Sequence, residues 1–445
     1  MSKIKFYGTA GMVTGSSFLL TAENGETILI DLGMFQDENY LELNYQAFDY
    51  DVSKLSGVIL THAHLDHCGR LPLLTKFNFK GKIYMTKATR MLTELSLLDS
   101  AKIAEENKDK PPIYSVEDVE KIMRHVEEVE YGKQFDIGPY EGILRDAGHI
   151  LGSASIEIKE RNSEKSIVFS GDLGNNSAGL TKPTEKIHSS STVVMESTYG
   201  DKDHPVENAS EIIADEIQKI EKLGGVLLIP AFSIERSQEV LYKIDHLKKQ
   251  GKVKQDTLVF LDSPMAIKAT EIFRQFRYLL NTEIVKQKDD PFDFPGLSLV
   301  EQPYESKKIL KIDGPKVIIA GSGMMNGGRI LHHALNYLSK ATTRLLIVGF
   351  MAKGTLGRQI ADGAKKVKIL DREIEVNAAI RQIHSMSSHA GQTELLNWLG
   401  GIKNVEKVFI VHGDEETRII FADKIKESLN ISDIILPEMN QEFEI

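Results

Sequence analysis

Over the first 60 residues apolar and polar positions alternate in short runs: KIKFYG, SSFLLTA, ETILIDLG and SGVILTH, with a turn at Glu23-Asn24-Gly25. A period of two rich in β-branched residues predicts strands. Around 84 to 106 the spacing lengthens to a helical one in MTKATRMLTELSLLDSAKIAEEN, and 115 to 130 repeats that change. Strand-like runs return in GILRD, ASIEIKE, SIVFSGDLG and STVVMESTYG. The pattern predicts a β-rich sandwich with helices outside.

From about 207 the rhythm differs. Helical ENASEIIADEIQKIEKLGG and SQEVLYKIDHLKKQ alternate with the strand runs VLLIPAF, TLVFLDS, KVIIAGS and RLLIVGF. Strands alternating with helices predict a parallel sheet. After about 375 a helix, HAGQTELLNWLGGI, and a strand, VEKVFIVHG, return to the first style. The chain is therefore expected to hold residues 1–206 and 376–445 as one domain, with 207–375 as an α/β insert.

At 445 residues the chain suits two domains. With 41% hydrophobic and 27% charged residues and one cysteine, it is neither disordered, collagenous nor disulfide-stapled. The N-terminal residues lack the apolar segment of a signal peptide, and no run approaches the roughly 18 apolar residues of a membrane span. A cytoplasmic protein with no membrane partner is expected. The net charge of -10 is uneven: residues 207–375 hold 26 Lys and Arg against 22 Asp and Glu, a mildly basic insert in an acidic host. Local basic patches govern affinity for polyanions, so a nucleic-acid partner remains open.

The chemistry concentrates in His62-Ala63-His64-Leu65-Asp66-His67, directly after an apolar strand run. In extended chain, residues two apart face the same way, so His62 and His64 can grip one metal while Asp66 and His67 face a second. Imidazole and carboxylate suit zinc, and manganese is an alternative. Asp31, His149, Asp172 and His412 each stand at a strand-to-loop junction. Singly each reads as structural, since an Asp beside Gly is usually a turn residue; in this order they form a pattern.

That series resembles the metallo-β-lactamase superfamily, with Asp31, HAHLDH, His149 and Asp172 as its successive motifs. Glu196 in MESTYG, His389 in SSHAGQTELLNW and His412 in VHGDEE resemble motifs A, B and C of the β-CASP nuclease branch. The likeness extends through IPAFSIERSQE and GSGMMNGGR, and it is strongest to RNA-cleaving members such as the endonuclease subunit of the pre-mRNA cleavage and polyadenylation factor. His412 favours RNA, because DNA-processing members usually lack a motif C histidine. The resemblance implies an αββα metallo-β-lactamase sandwich with an inserted parallel-sheet β-CASP domain. It also implies a short catalytic-core form, without the KH domains of some archaeal relatives or the C-terminal domain of the RNase J type.

Carried over residue by residue, the resemblance implies His62, His64 and His149 on one zinc, Asp66, His67 and His412 on the other, and Asp172 bridging. Asp31 would orient the histidine ligands from behind. The implied activity is hydrolysis of RNA phosphodiester bonds by a two-metal hydroxide mechanism, with Asp66, Glu196 and His389 catalytic. His389, held by Glu196, would protonate the leaving oxygen. Left to themselves, Glu196 reads as a strand-end carboxylate binding backbone and His389 as the neighbour of a helix start.

Ser322, Gly323 and the Met324 backbone, in a glycine-rich turn after a strand, are candidates to cradle phosphate. His384 and Ser388 are candidate site walls, and Arg236, Arg329, Lys353 and Arg358 candidate RNA-backbone contacts. His332 and His333 are weaker candidates. The side chains of Met34, Met324, Met325 and Trp398 read as core, and Cys68 as a buried small residue. The expected partner is single-stranded RNA, with a homodimer left open. Endonucleolytic cleavage leads; a 5′ to 3′ exonuclease, a small-molecule esterase and a noncatalytic RNA-binding scaffold are the alternatives.

Overall fold

The computed structural model describes residues 2–106, 111–176, 179–352 and 354–445. Two compact units emerge: residues 1–176, 181–203 and 389–445 form the first, and 177–180 with 204–388 the second.

The first unit packs two seven-stranded sheets face to face. One runs Glu442–Glu444, Lys3–Phe6, Phe18–Thr21, Thr27–Ile30, Leu55–Ile59, Lys82–Met85 and Val126–Glu128 across its width. The other runs Asp433–Ile435, Lys407–Ile410, Thr192–Met195, Ser166–Phe169, Ala154–Glu160, Tyr140–Asp146 and Gln134–Ile137. Alternate residues meet in the middle: Ile4, Phe6, Leu20, Ile28, Ile30 and Ile59 against Leu144, Ile156, Ile158, Phe169, Val194 and Phe409. The opposite faces are covered by helices, Lys87–Glu106 and Val116–Met123 over one sheet and Gln392–Gly400 and Glu415–Leu429 over the other. The layering is αββα, as the alternating runs imply.

Two boundaries differ from the periodicity. Tyr84 and Met85 close a strand rather than open the long helix, because Thr86 Oγ1 accepts the Thr89 N–H at 3.1 Å and fixes the helix start after it. The 115–130 stretch is helical only over Val116–Met123, capped by the reciprocal Ser115 and Asp118 box. Its remainder turns and pairs Val126–Glu128 with Ile83–Met85.

In the second unit a six-stranded, wholly parallel sheet runs Leu297–Leu299, Leu258–Asp262, Lys316–Ala320, Val226–Pro230, Arg344–Ile347 and Ala379–Gln382. Val226–Pro230 and Lys316–Ala320 are buried at every position, which explains the apolar runs VLLIP and, after Lys316, VIIA. Ala379–Gln382 pairs with Arg344–Ile347, which keeps the chain in this sheet beyond residue 375. Among the described residues no helix is long and apolar enough to cross a membrane.

Candidate metal centre

Parallel strands share a direction, so their C-terminal ends fall on one edge. Thr27–Ile30 and Leu55–Ile59 run parallel in one sheet, and Ser166–Phe169, Thr192–Met195 and Lys407–Ile410 in the other. Just past those ends stand Asp31, His62, Asp172, Glu196 and His412. His64, Asp66 and His67 follow His62 into the short Leu65–Cys68 helix. His149 comes from the loop between Tyr140–Asp146 and Ala154–Glu160, which is tied back by the Ala147 N–H to Ser153 O bond of 3.1 Å.

These side chains fall into two sets. His64 Nδ1 lies 3.2 Å from both His62 Nε2 and His149 Nε2. A ring nitrogen carries one proton or one lone pair, so His64 Nδ1 cannot satisfy both neighbours by hydrogen bonding. Nitrogens about 2.0–2.1 Å from a tetrahedral zinc stand about 3.3 Å from one another, which is the spacing seen. In the second set His67 Nε2 is 3.3 Å from His412 Nε2, and His412 Nε2 is 3.4 Å from Asp66 Oδ2.

Asp172 divides its carboxylate between the sets. Oδ2 lies 3.4 Å from His62 Nε2 and 3.6 Å from His149 Nε2; Oδ1 lies 3.2 Å from His67 Nε2 and 3.5 Å from His412 Nε2. The residue is 1% exposed, and among the described residues neither oxygen has a hydrogen-bond partner. A buried carboxylate that makes no hydrogen bond to the ring nitrogens around it is costly unless a cation stands between them, so this donor set fits metal ions. Burial would raise its carboxyl, but His412, His67 and His62 outweigh burial and hold it well below the usual range. Burial lowers His62 well below its ordinary value and takes His64 down to about 4, keeping both imidazoles in the neutral, ligating form.

The rings are fixed from behind. Asp31 accepts from His67 Nδ1 at 2.7 Å and from the Thr61 N–H and Oγ1 at 2.8 Å each, which turns His67 Nε2 toward Asp172. Thr61 Oγ1 is also 3.1 Å from His62 Nδ1, and Thr198 Oγ1 is 3.0 Å from His412 Nδ1. The sequence reading missed both threonines. Their only signal is adjacency, Thr61 preceding His62 and Thr198 following Glu196 by two.

His389 belongs to the same unit. Its segment bridges to Gly174, and the Ala390 N–H donates to Leu173 O at 2.8 Å, which lays it beside Asp172. His389 Nδ1 is 3.3 Å from Glu196 Oε2. Glu196 also accepts the Leu173 N–H at 2.6 Å, so it is both a backbone anchor and a histidine partner. Burial opposes charge on His389, yet Glu196 and then Asp172 outweigh it and push the imidazole up to about 9. At 20% side-chain exposure it reaches solvent, where His62, His67, His149 and His412 are at most 3% exposed.

The candidate RNA contacts and site walls lie in the second unit, and Met34, Cys68 and Trp398 in the first. Ser322 donates its N–H to Gly327 O at 3.2 Å and accepts the Asn326 N–H on Oγ at 3.1 Å, so the loop engages part of its own cradle. Gly323 is buried beside it and Met324 half-buried. Arg329 is drawn inward, to Asp262 Oδ1 at 2.6 Å and Val300 O at 2.9 Å. Arg236 is buried and paired with Glu239, and Arg358 is paired with Asp362. His333 is buried against Asp262 while His332 is exposed. His384 is exposed and donates its backbone N–H to Glu207 at 2.8 Å; Ser388 is half-buried. Lys353 lies outside the described residues. Cys68 is buried and burial raises its thiol, and Met325 is core. Met34 and Trp398 pack on the edges of the two outer cores.

The model of the metallo-beta-lactamase superfamily matches residues 10–198, that of the Beta-Casp domain 237–360, and that of the Zn-dependent metallo-hydrolase RNA specificity domain 373–437. Fold and site together define a metal-binding protein of the metal-dependent hydrolase class. A ribonuclease of Thermus thermophilus is 37% identical over 92% of this chain and 93% of its own length. The transcription termination factor FttA of Pyrococcus horikoshii is 32% identical over 96% of this chain and 69% of its own. The chain belongs to the β-CASP ribonuclease family of the metallo-β-lactamase superfamily. The crystal structure of a protein of unknown function from Enterococcus faecalis V583 shares the fold, with a TM-score of 0.56 at 11% identity over 99% of both chains.

Proposed function

We propose that this protein is a zinc-dependent ribonuclease that hydrolyses phosphodiester bonds inside single-stranded RNA. The observation that carries this reading is Asp172, buried with one oxygen toward each set of ring nitrogens. Two ions would be held, one by His62, His64 and His149, the other by Asp66, His67 and His412, with Asp172 common to both. When bound, such a pair supplies a nucleophilic water at neutral pH and positive charge for the phosphate oxygens.

The chain's own residues do the rest. Asp31, Thr61 and Thr198 fix the tautomers by holding Nδ1 of His67, His62 and His412, which leaves each Nε2 as the ligating atom. Asp66, at 17% side-chain exposure, reaches solvent and can take a proton from the entering water. His389 holds Glu196 through Nδ1 and gives its proton to the leaving oxygen from Nε2. The relatives named ribonuclease and the match to the RNA specificity domain support RNA as substrate.

The test incubates the metal-loaded protein with RNA labelled separately at each end. Internal fragments from both labels are expected. Mononucleotides released only from a 5′ end would replace this reading with an exonuclease, and intact RNA under zinc and manganese alike would refute a ribonuclease.

A further inference from the structure

The second unit presents two large aromatic side chains to solvent at one edge of its parallel sheet. Phe232 follows Val226–Pro230 and is 41% exposed; Phe350 follows Arg344–Ile347, the adjacent strand, and is 60% exposed. Two water-exposed phenyl rings at neighbouring strand ends have no role in packing the core.

Their place in the topology matters. From Val226–Pro230 the chain crosses to Leu258–Asp262 on one side, and from Lys316–Ala320 it crosses to Arg344–Ile347 on the other. The order reverses between two adjacent strands, and in open α/β sheets ligands bind outside the carboxyl ends at such a point. Phe232 stands there.

The ring lies close against glycine backbone and its own backbone is tethered. Phe232 O accepts the Ser237 hydroxyl at 2.7 Å, and the Ala231 N–H donates to Ala320 O at 3.1 Å, so its backbone is anchored on both sides. A Cβ at Gly323 would lie 2.7 Å from Phe232 Cδ2, and one at Gly349 3.6 Å from Cε2. Neither glycine has a left-handed φ, so at 323 the requirement is space for the ring rather than backbone freedom.

The surroundings select the ligand. Ser233, the next residue, has its Oγ 3.4 Å from Ser263 Oγ, and both hydroxyls would lie 3.7 Å from a Cβ at Gly321. Among residues 231–233, 262–263, 321–323 and 348–350 the one carboxylate is Asp262, which is already engaged by Ser306, Arg329 and His333. In a chain of net charge -10, none of these stretches carries an uncompensated acid. A protein partner would want a contiguous apolar patch, whereas glycines border this ring and serines flank them along the same strand ends. A nucleobase needs only a ring face and tolerates polar neighbours and adjoining phosphates.

We propose that Phe232 and Phe350 form a stacking platform for the bases of single-stranded RNA. The proposal rests on the ribonuclease reading and adds positioning residues to it. The direct probe is fluorescence: Phe350→Trp is titrated with a short oligoadenylate and with an abasic ribose-phosphate strand of equal length, against the wild-type baseline from Trp398. Quenching by oligoadenylate alone is expected; equal quenching by the abasic strand, or none by either, overturns the platform. In cleavage assays Phe232→Ala and Phe350→Ala should each raise KM by about 5- to 150-fold, the range for loss of one stacked base, with kcat within about twofold. Tyr at either position should restore KM and Leu should not. An unchanged KM in both Ala variants, or full rescue by Leu, contradicts stacking while leaving the ribonuclease reading intact. If the wild type cleaves no RNA yet the Trp variant is quenched by bases, the activity is wrong and the platform stands.

Discussion

Two aspartates at strand ends make the most instructive comparison in this molecule. Asp172 in the first unit is 1% exposed and Asp262 in the second is 0% exposed, and both stand near histidines. Asp262 is fully engaged: Ser306 Oγ donates at 2.5 Å, Arg329 Nη1 at 2.6 Å and His333 Nε2 lies at 2.6 Å. Burial alone would raise its carboxyl, yet these donors, His333 foremost, hold it below its usual value. Asp172 has ring nitrogens at 3.2 to 3.6 Å on both sides and, among the described residues, no hydrogen bond. One aspartate is closed by protein; the other is left open for cations. The same residue type at the same kind of position is therefore structural or functional according to what completes it.

The largest expected effect breaks the open site. Asp172→Ala should remove both the metal and about 10³-fold or more of RNA cleavage, since several kcal/mol of charge stabilisation go with it. Metal analysis and rate measurement on one preparation check this; full activity with full metal would mean that the ligand assignment is wrong.

Next comes the proton donor. His389→Ala should keep its metal yet cleave ordinary RNA about 10²- to 10⁴-fold more slowly. The defect should shrink on a substrate with an activated leaving group, which needs less protonation. An equal defect on both substrates would remove His389 from that role, and metal loss would make it a ligand or a support.

Smaller again is Asp31→Asn, which keeps the shape but not the charge behind His67. Metal affinity should fall about 10- to 100-fold, read by competition with a chromogenic chelator. An unchanged affinity would show that Thr61 Oγ1, 3.3 Å from His67 Nδ1, suffices to orient the ring.

Asp262→Asn should leave metal content unchanged while costing about 3–5 kcal/mol of stability, because Arg329 and His333 lose a buried partner. Chemical denaturation monitored by circular dichroism gives the figure. If this variant instead lost metal at unchanged stability, the contrast between the two aspartates would collapse.

The sequence made the open site far easier to read than the closed one. Three histidines and an aspartate within six residues announce metal chemistry locally. Asp31, Asp172 and His412 are legible because each closely follows an apolar run, so strand ends and chemistry coincide, whereas His149 stands in a loop and is legible only through its place in the motif order. Arg329 and His333 carry no such mark: their partner Asp262 lies 67 and 71 residues away, and only the fold reveals that they are already occupied. Thr61 and Thr198 escaped for the opposite reason, since a threonine beside a motif looks like ordinary strand sequence. Tyr84, Met85 and Val126–Glu128 read as helix in the sequence because their spacing suits either period, and pairing makes them strands. Ala379–Gln382, AIRQ, has no unbroken apolar run, and only its pairing with Arg344–Ile347 makes it a strand of the second sheet.

The central claim is that Asp172 joins two metal sites, and metal stoichiometry tests it most directly. Protein purified without chelator, loaded with zinc and freed of excess by gel filtration, should contain about two equivalents per chain by elemental analysis, because seven ligands cannot all serve one tetrahedral ion. At most one equivalent after the same loading would contradict the dinuclear centre.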